Sequence, residues 1–134
     1  MATFHDRFKL AALNGSLDEF DVGASDAAGD IQLLTSGAVE LAQPLLSNPA
    51  FGAAAMNGSN PEADANPITD DTSVLAGGGD IAAMKIRDRD NVAIYEGSVG
   101  LPSSGADLIM NDVTVPPNAE FVGIENLTFA FAFG

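Results

Sequence analysis

The chain has no cysteine, no tryptophan, one histidine, one tyrosine and only five lysine or arginine residues among its 134. Without cysteine there can be no disulfide, thiolate metal site or cysteine nucleophile. The lone histidine, His5, stands near the start of the chain. No motif places an acid beside it, and no Gly-x-Ser-x-Gly elbow accompanies it, so the groups that general acid–base or nucleophilic catalysis requires are scarce. Nineteen acidic residues can always be paired on paper, as in Asp18, Glu19 and Asp21 or in Asp70 and Asp71. A glycosidase sets such a pair across a cleft lined with aromatics, and one tyrosine without tryptophan does not make that platform. The acids read instead as solvated faces and turns, and the chain as a non-enzyme. No apolar run approaches the about 18–20 residues of a membrane span. The opening residues Met1-Ala2-Thr3-Phe4-His5-Asp6 lack the basic stretch and apolar core of a signal peptide, so the protein is expected to be made and used in soluble form.

What is abundant is negative charge. Nineteen acids against five bases give a formal net charge of −14. A field of that sign repels nucleic-acid phosphate and anionic lipid, so neither nucleic acid nor membrane is an expected partner. A 46% apolar content with eight phenylalanines argues for a packed core rather than disorder. The length is that of one domain, able to bury roughly two-thirds of the surface its unfolded chain exposes. The five cations are clustered: Arg7 and Lys9 near the N-terminus, and Lys85, Arg87 and Arg89 in one short segment, with no Lys or Arg between residues 10 and 84. Both spots are candidate contacts for acidic protein surfaces.

Residues 3–15 read as a short helix, with Thr3 as N-cap, Asp6 in the first turn and Asn14-Gly15 as a stop. Phe4 and Phe8 are four apart and share a face. Beyond Gly15, short apolar runs alternate with Gly, Asn, Asp, Ser and Pro clusters, the texture of an antiparallel sheet protein. Strands are expected near 16–22, 39–46, 51–56, 62–69, 80–88, 92–99, 107–115 and 119–133, with a short turn of helix at Ile31-Gln32-Leu33-Leu34. The fold class is therefore all-β: an eight-stranded antiparallel β-sandwich over residues 16–134, with a jelly roll among its arrangements, preceded by a helical arm at 1–15.

Two segments are explicit. Ile81 to Arg87 and Val92 to Glu96 flank the turn-forming Asp88-Arg89-Asp90-Asn91, a hairpin in which Met84 and Ile86 face one way and Lys85 and Arg87 the other. In the last strand, Leu127, Phe129, Phe131 and Phe133 share one face as a core wall, and Thr128, Ala130 and Ala132 the other, small enough for close approach of another sheet or subunit. Asp88-x-Asp90-Asn91 resembles the opening of a calcium loop, but Val92 and Ala93 occupy the positions where an EF-hand requires Asp or Asn and then Gly. Gly77-Gly78-Gly79 lacks the Lys and Ser/Thr of a phosphate cradle. The Asn126-Leu127-Thr128 sequon falls inside the expected core strand. No metal or other cofactor is expected.

Four blocks occur in order: Leu46-Ser47-Asn48-Pro49-Ala50-Phe51-Gly52-Ala53-Ala54-Ala55, Ile68-Thr69-Asp70-Asp71-Thr72-Ser73, Gly97-Ser98-Val99-Gly100 and Ser104-Gly105-Ala106-Asp107-Leu108. Over roughly residues 10–133 this ordered set resembles a family of small virion-associated structural proteins of tailed phages and prophages. The chain departs from that pattern at Ala83-Met84, where an aromatic is common, and at Gly77–Gly79. The resemblance implies a structural virion protein with no catalytic residues. Its first expectation is capsid decoration: a homotrimer made in the host cytoplasm and bound to the major capsid protein on the outside of the shell. Phe4, Arg7, Phe8, Lys9, Lys85, Arg87 and Arg89 are the candidate capsid or subunit contacts. A tail or head–tail adaptor component is the alternative, followed by a non-viral carbohydrate- or calcium-type binding module.

Overall fold

In a computed structural model, which describes residues 3–133, the chain is mostly β with one short N-terminal helix. The helix, α1, runs from Asp6 to Leu17 and continues into a 3-10 turn at Asp18–Asp21. His5, not Thr3, occupies the N-cap position and makes no side-chain capping bond. The expected stop at Asn14-Gly15 is overrun, and the strand expected at 16–22 is helical instead. Leu13, Leu17 and Phe20 are buried and spaced four and three apart, a helical period, so burial of one stripe outweighs the weak local propensity of Asn and Gly. Asn14 is held by tertiary structure, its Oδ1 accepting the Ala54 N–H at 2.9 Å.

Ten strands follow rather than eight: β1 (Asp30–Leu34), β2 (Glu40–Ala42), β3 (Ala55–Asn57), β4 (Asn60–Asp64), β5 (Gly79–Asp80), β6 (Ala83–Arg87), β7 (Ala93–Gly100), β8 (Leu108–Ile109), β9 (Thr114–Val115) and β10 (Thr128–Ala130). They form a five-stranded sheet in the order β2-β1-β6-β7-β8, a three-stranded sheet β10-β4-β3 and a two-stranded ribbon β5-β9. Every pairing is antiparallel except β7 with β8, which is parallel over Val99–Leu108 and Gly100–Ile109. The sheets do not close on themselves.

The turn of helix expected at Ile31-Gln32-Leu33-Leu34 is instead β1, which lies between β2 and β6. Ile31, Leu33 and Leu34 are all buried, so both faces of the strand are covered and its sequence shows a run instead of alternation. The expected strand at 107–115 is two separate pieces, β8 and β9, in different sheets. The last strand pairs only over Thr128–Ala130, although its alternation is as expected: Leu127 is buried, Phe129 and Phe131 pack against the core, and Thr128, Ala130 and Ala132 are exposed. One apolar core unites α1, both larger sheets and the ribbon, with Phe20, Phe51 and Phe129 packed ring to ring at 5.3–5.6 Å.

The hairpin of β6 and β7 forms as the sequence indicates, with Met84 and Ile86 inward. Its acidic turn is stapled to the loop that follows the 3-10 turn. Asp88 Oδ1 accepts the Asp90 and Val92 N–H groups, and Asp90 Oδ1 accepts those of Ala24 and Ser25 at 3.0 Å. Arg89 N–H donates to Val22 O, and Asp26 N–H to Arg89 O. On the parallel side, Asp107 Oδ2 accepts both the backbone and hydroxyl donors of Ser98 at 2.8 and 2.9 Å.

These contacts set a pH dependence. The amide donors of Ala24 and Ser25 lower the pKa of Asp90, and those of Ser98 lower that of Asp107. Each therefore contributes stability that is present above the unfolded carboxyl value of about 3.8 and is lost as pH falls through the depressed value. Asp21 is shifted upward, chiefly by burial, against the lowering effect of the Ala50 N–H it accepts. The folded state binds that proton more tightly than the unfolded chain, so ionising Asp21 costs stability as pH rises from 3.8 through the raised value. Urea midpoints measured across pH 2–6 should thus fall less steeply below about 3.8 in Asp90→Asn, and separately in Asp107→Asn, than in wild type. In Asp21→Asn the midpoint should rise relative to wild type only above about that pH. A parallel offset at every pH in all three variants would refute the assignment.

Candidate docking surface

The outward end of α1 carries the most conspicuous surface feature. Below it Leu13 and Leu17 turn into the core, while above it Phe4 and Phe8 stack at 4.9 Å between ring centroids and stay 49% and 53% exposed. The last strand completes the cluster. Phe133 meets Phe4 edge-on at 5.6 Å and Phe8 at 6.4 Å, and Phe131 lies 6.3 Å from Phe133. Two anchors hold the ends of the chain together at this point. Lys9 Nζ donates to Ser59 O at 2.7 Å in the β3–β4 turn, and Phe133 N–H donates at 3.0 Å to Oδ1 of Asn60, the first residue of β4. Lys9 Nζ also lies 5.9 Å from the centre of the Phe133 ring, within cation–π range. Arg7, on the same helix turn, is exposed and has no ionic partner among the described residues.

Of the candidate contacts, Phe4, Arg7, Phe8 and Lys9 are thus brought together, and Phe133 joins them. Sequence reasoning places Phe133 in the core wall, whereas it serves the surface cluster. The signal is its position: the core contacts of the strand are made by Leu127, Phe129 and Phe131, and Phe133 lies beyond them.

The cations of the second basic segment are each engaged by a group of this chain. Arg87 grips Asp30 with two bonds of 2.7 and 2.8 Å, with side chains only 17% and 4% exposed. The bond to Asp30 also holds the Arg87 proton more firmly than usual. Arg89 donates from Nε to Asp26 O at 2.8 Å, and Lys85 pairs across the hairpin with Glu96 at 3.2 Å. Lys85 and Glu96 remain open to solvent, whereas Arg87 is paired within the sheet with its register neighbour on β1.

No group of three or more acidic or histidine side chains suited to a metal occurs among the described residues. In the acidic turn, one carboxylate oxygen each of Asp88 and Asp90 accepts two backbone N–H groups, so these acids cap a turn as they stand. Comparison of the chain with protein-family models, curated proteins and solved structures finds no match.

Proposed function

We propose that the protein decorates the outside of a tailed-phage capsid shell, binding the major capsid protein and stabilising the assembled particle. The observation that carries this reading is the Phe4–Phe8–Phe133 cluster with Arg7 beside it, an apolar and cationic spot on a body of net charge −14. Stacked rings left in solvent are costly for a soluble chain, and aromatic and arginine side chains are the types that anchor protein interfaces. The ordered Ser-Asn-Pro-Ala-Phe-Gly, Ile-Thr-Asp-Asp, Gly-Ser-Val-Gly and Ser-Gly-Ala-Asp blocks add the virion context by resemblance. In the same reading the five- and three-stranded sheets are the two layers of a sandwich around their shared core, and the protein acts as a homotrimer without catalytic chemistry.

The physics of such a role is linkage. A protein that binds the assembled shell but not its dissociated subunits stabilises the shell by mass action. The acidic body keeps the free protein soluble until the shell is built. Cosedimentation of the purified protein with tail-less shells of the encoding phage tests the reading. Stoichiometric binding with a raised shell melting temperature is the expected result. Recovery with tails and not with shells would overturn it in favour of a tail or adaptor role.

A further inference from the structure

The aromatic–basic cluster has a counterpart on the same chain. A groove of about 540 Å³ runs along β2, the outer strand of the five-stranded sheet, and the segment 69–75. Its apolar lining includes Leu41, Leu45 and Leu75, the last two exposed, and its acids are Glu40, Asp70 and Asp71. Two of these acids already have donors. Asp71 accepts the Gln43 and Ser73 N–H groups, and Glu40 accepts from Gln32. Asp70 is exposed, its carboxylate lying against the backbone at Gly123, and it makes no hydrogen bond or ion pair among the described residues. Arg7 and Phe8 of the cluster lie on α1, which packs on β3 and β4 of the three-stranded sheet, whereas the groove runs along β2 of the five-stranded sheet.

Resting on the docking reading of the Phe4–Phe8 cluster, we propose that in the shell-free protein its occupant is a second copy of this chain: Phe4 and Phe8 of one copy seat in the β2 groove of the next, with Arg7 against Asp70. The charge pattern selects this occupant. Almost any face of one copy presents carboxylates to another, and Arg7 is an exposed cation without an ionic partner among the described residues, so a contact that brings Arg7 to an unpaired acid relieves repulsion. At 0.15 M salt the overall repulsion is screened beyond about 8 Å, while apolar burial at the contact is not. Each phenylalanine brings an area of about 150–250 Å² to such a contact. The two surfaces differ, so the contact is heterologous: it repeats from copy to copy and closes into a ring if the rotation permits.

Sedimentation velocity on the shell-free protein, from roughly 1 to 500 µM at 0.15 M salt, tests the proposal. Wild type is expected to form oligomers with rising concentration. Arg7→Glu, and separately the double variant Phe4→Ala/Phe8→Ala, should weaken association by about ten-fold or more. Asp70→Arg should do the same alone, and combined with Arg7→Glu it should restore association, since the pair is then reversed in sign. The substituted side chains are exposed, and an unchanged far-UV circular dichroism spectrum confirms the fold of each variant. A wild type that stays monomeric throughout, or association indifferent to Arg7→Glu, or no restoration in the reversed pair, would overturn the proposal. Shell cosedimentation of wild type is read separately, so a monomeric protein that binds shells sinks the self-contact alone, and an oligomeric one that ignores shells sinks only the decoration reading.

Discussion

Asp30→Ala is expected to lower the unfolding free energy by about 3 kcal/mol, at the lower end of the range for breaking a buried ion pair. Asp30 begins β1 and stands opposite Arg87 on β6, so strand register alone places carboxylate and guanidinium face to face. The geometry is a bidentate fork at 2.7 and 2.8 Å, the strong form of this interaction. Gln43 Nε2 adds a third donor to Asp30 Oδ2 at 2.7 Å. Alanine at 30 leaves the guanidinium in a site with little access to water and leaves the Gln43 amide without its acceptor. Arg87 retains some exposure, which is why the lower end of the range applies. The joint replacement Asp30→Leu/Arg87→Met should recover most of the loss, because it removes the buried charges together instead of stranding one. Urea denaturation of the three variants checks this. A cost below about 1 kcal/mol for both Asp30→Ala and Arg87→Ala would show that the pair is solvated and contributes as a surface bridge does.

The same pair shows where local reading of the sequence stops. The β6–β7 hairpin was legible because everything that defines it lies within about twenty residues: turn formers at 88–91 and alternation on either side. The inward and outward faces of the last strand were legible for the same reason. The sorting of cations was not. Lys85, Arg87 and Arg89 look alike as an alternating strip, and what separates them is pairing with a strand fifty-seven residues away in the chain. Assignment of β1 failed on a related ground: a strand covered on both faces loses the period that distinguishes it from a helix turn, and its neighbours β2 and β6 are not visible locally. For 16–22 the period was present, in Leu13, Leu17 and Phe20, but it crosses the Asn-Gly stop signal that normally ends a helix. At the docking surface, Phe4 and Phe8 were legible from their spacing of four. Their union with Phe133 depends on Lys9 and Phe133 being tied to the adjacent Ser59 and Asn60, a tertiary fact.

The other large effect is expected at the centre of the five-stranded sheet. Ile86 is fully buried on β6, paired in register with Ile31 on β1 and Tyr95 on β7. Ile86→Ala removes three carbons from a site walled by elements that are themselves hydrogen-bonded on both sides, so the cavity has little freedom to collapse. A loss of about 2–5 kcal/mol follows, against about 0.5–1.5 kcal/mol for Ile86→Val. Ile94→Ala, on the exposed part of β7, should cost well under about 1 kcal/mol. At about 5 kcal/mol, the lower end of the usual range of about 5–15 kcal/mol, a domain can absorb one such loss but not two, so Ile86→Ala combined with Asp30→Ala should then be largely unfolded. The two sites adjoin through the β1–β6 ladder, and their costs should therefore couple rather than add. Denaturant midpoints for the single and double variants measure that coupling. If Ile86→Ala costs no more than Ile94→Ala, the sheet is not the packed centre described.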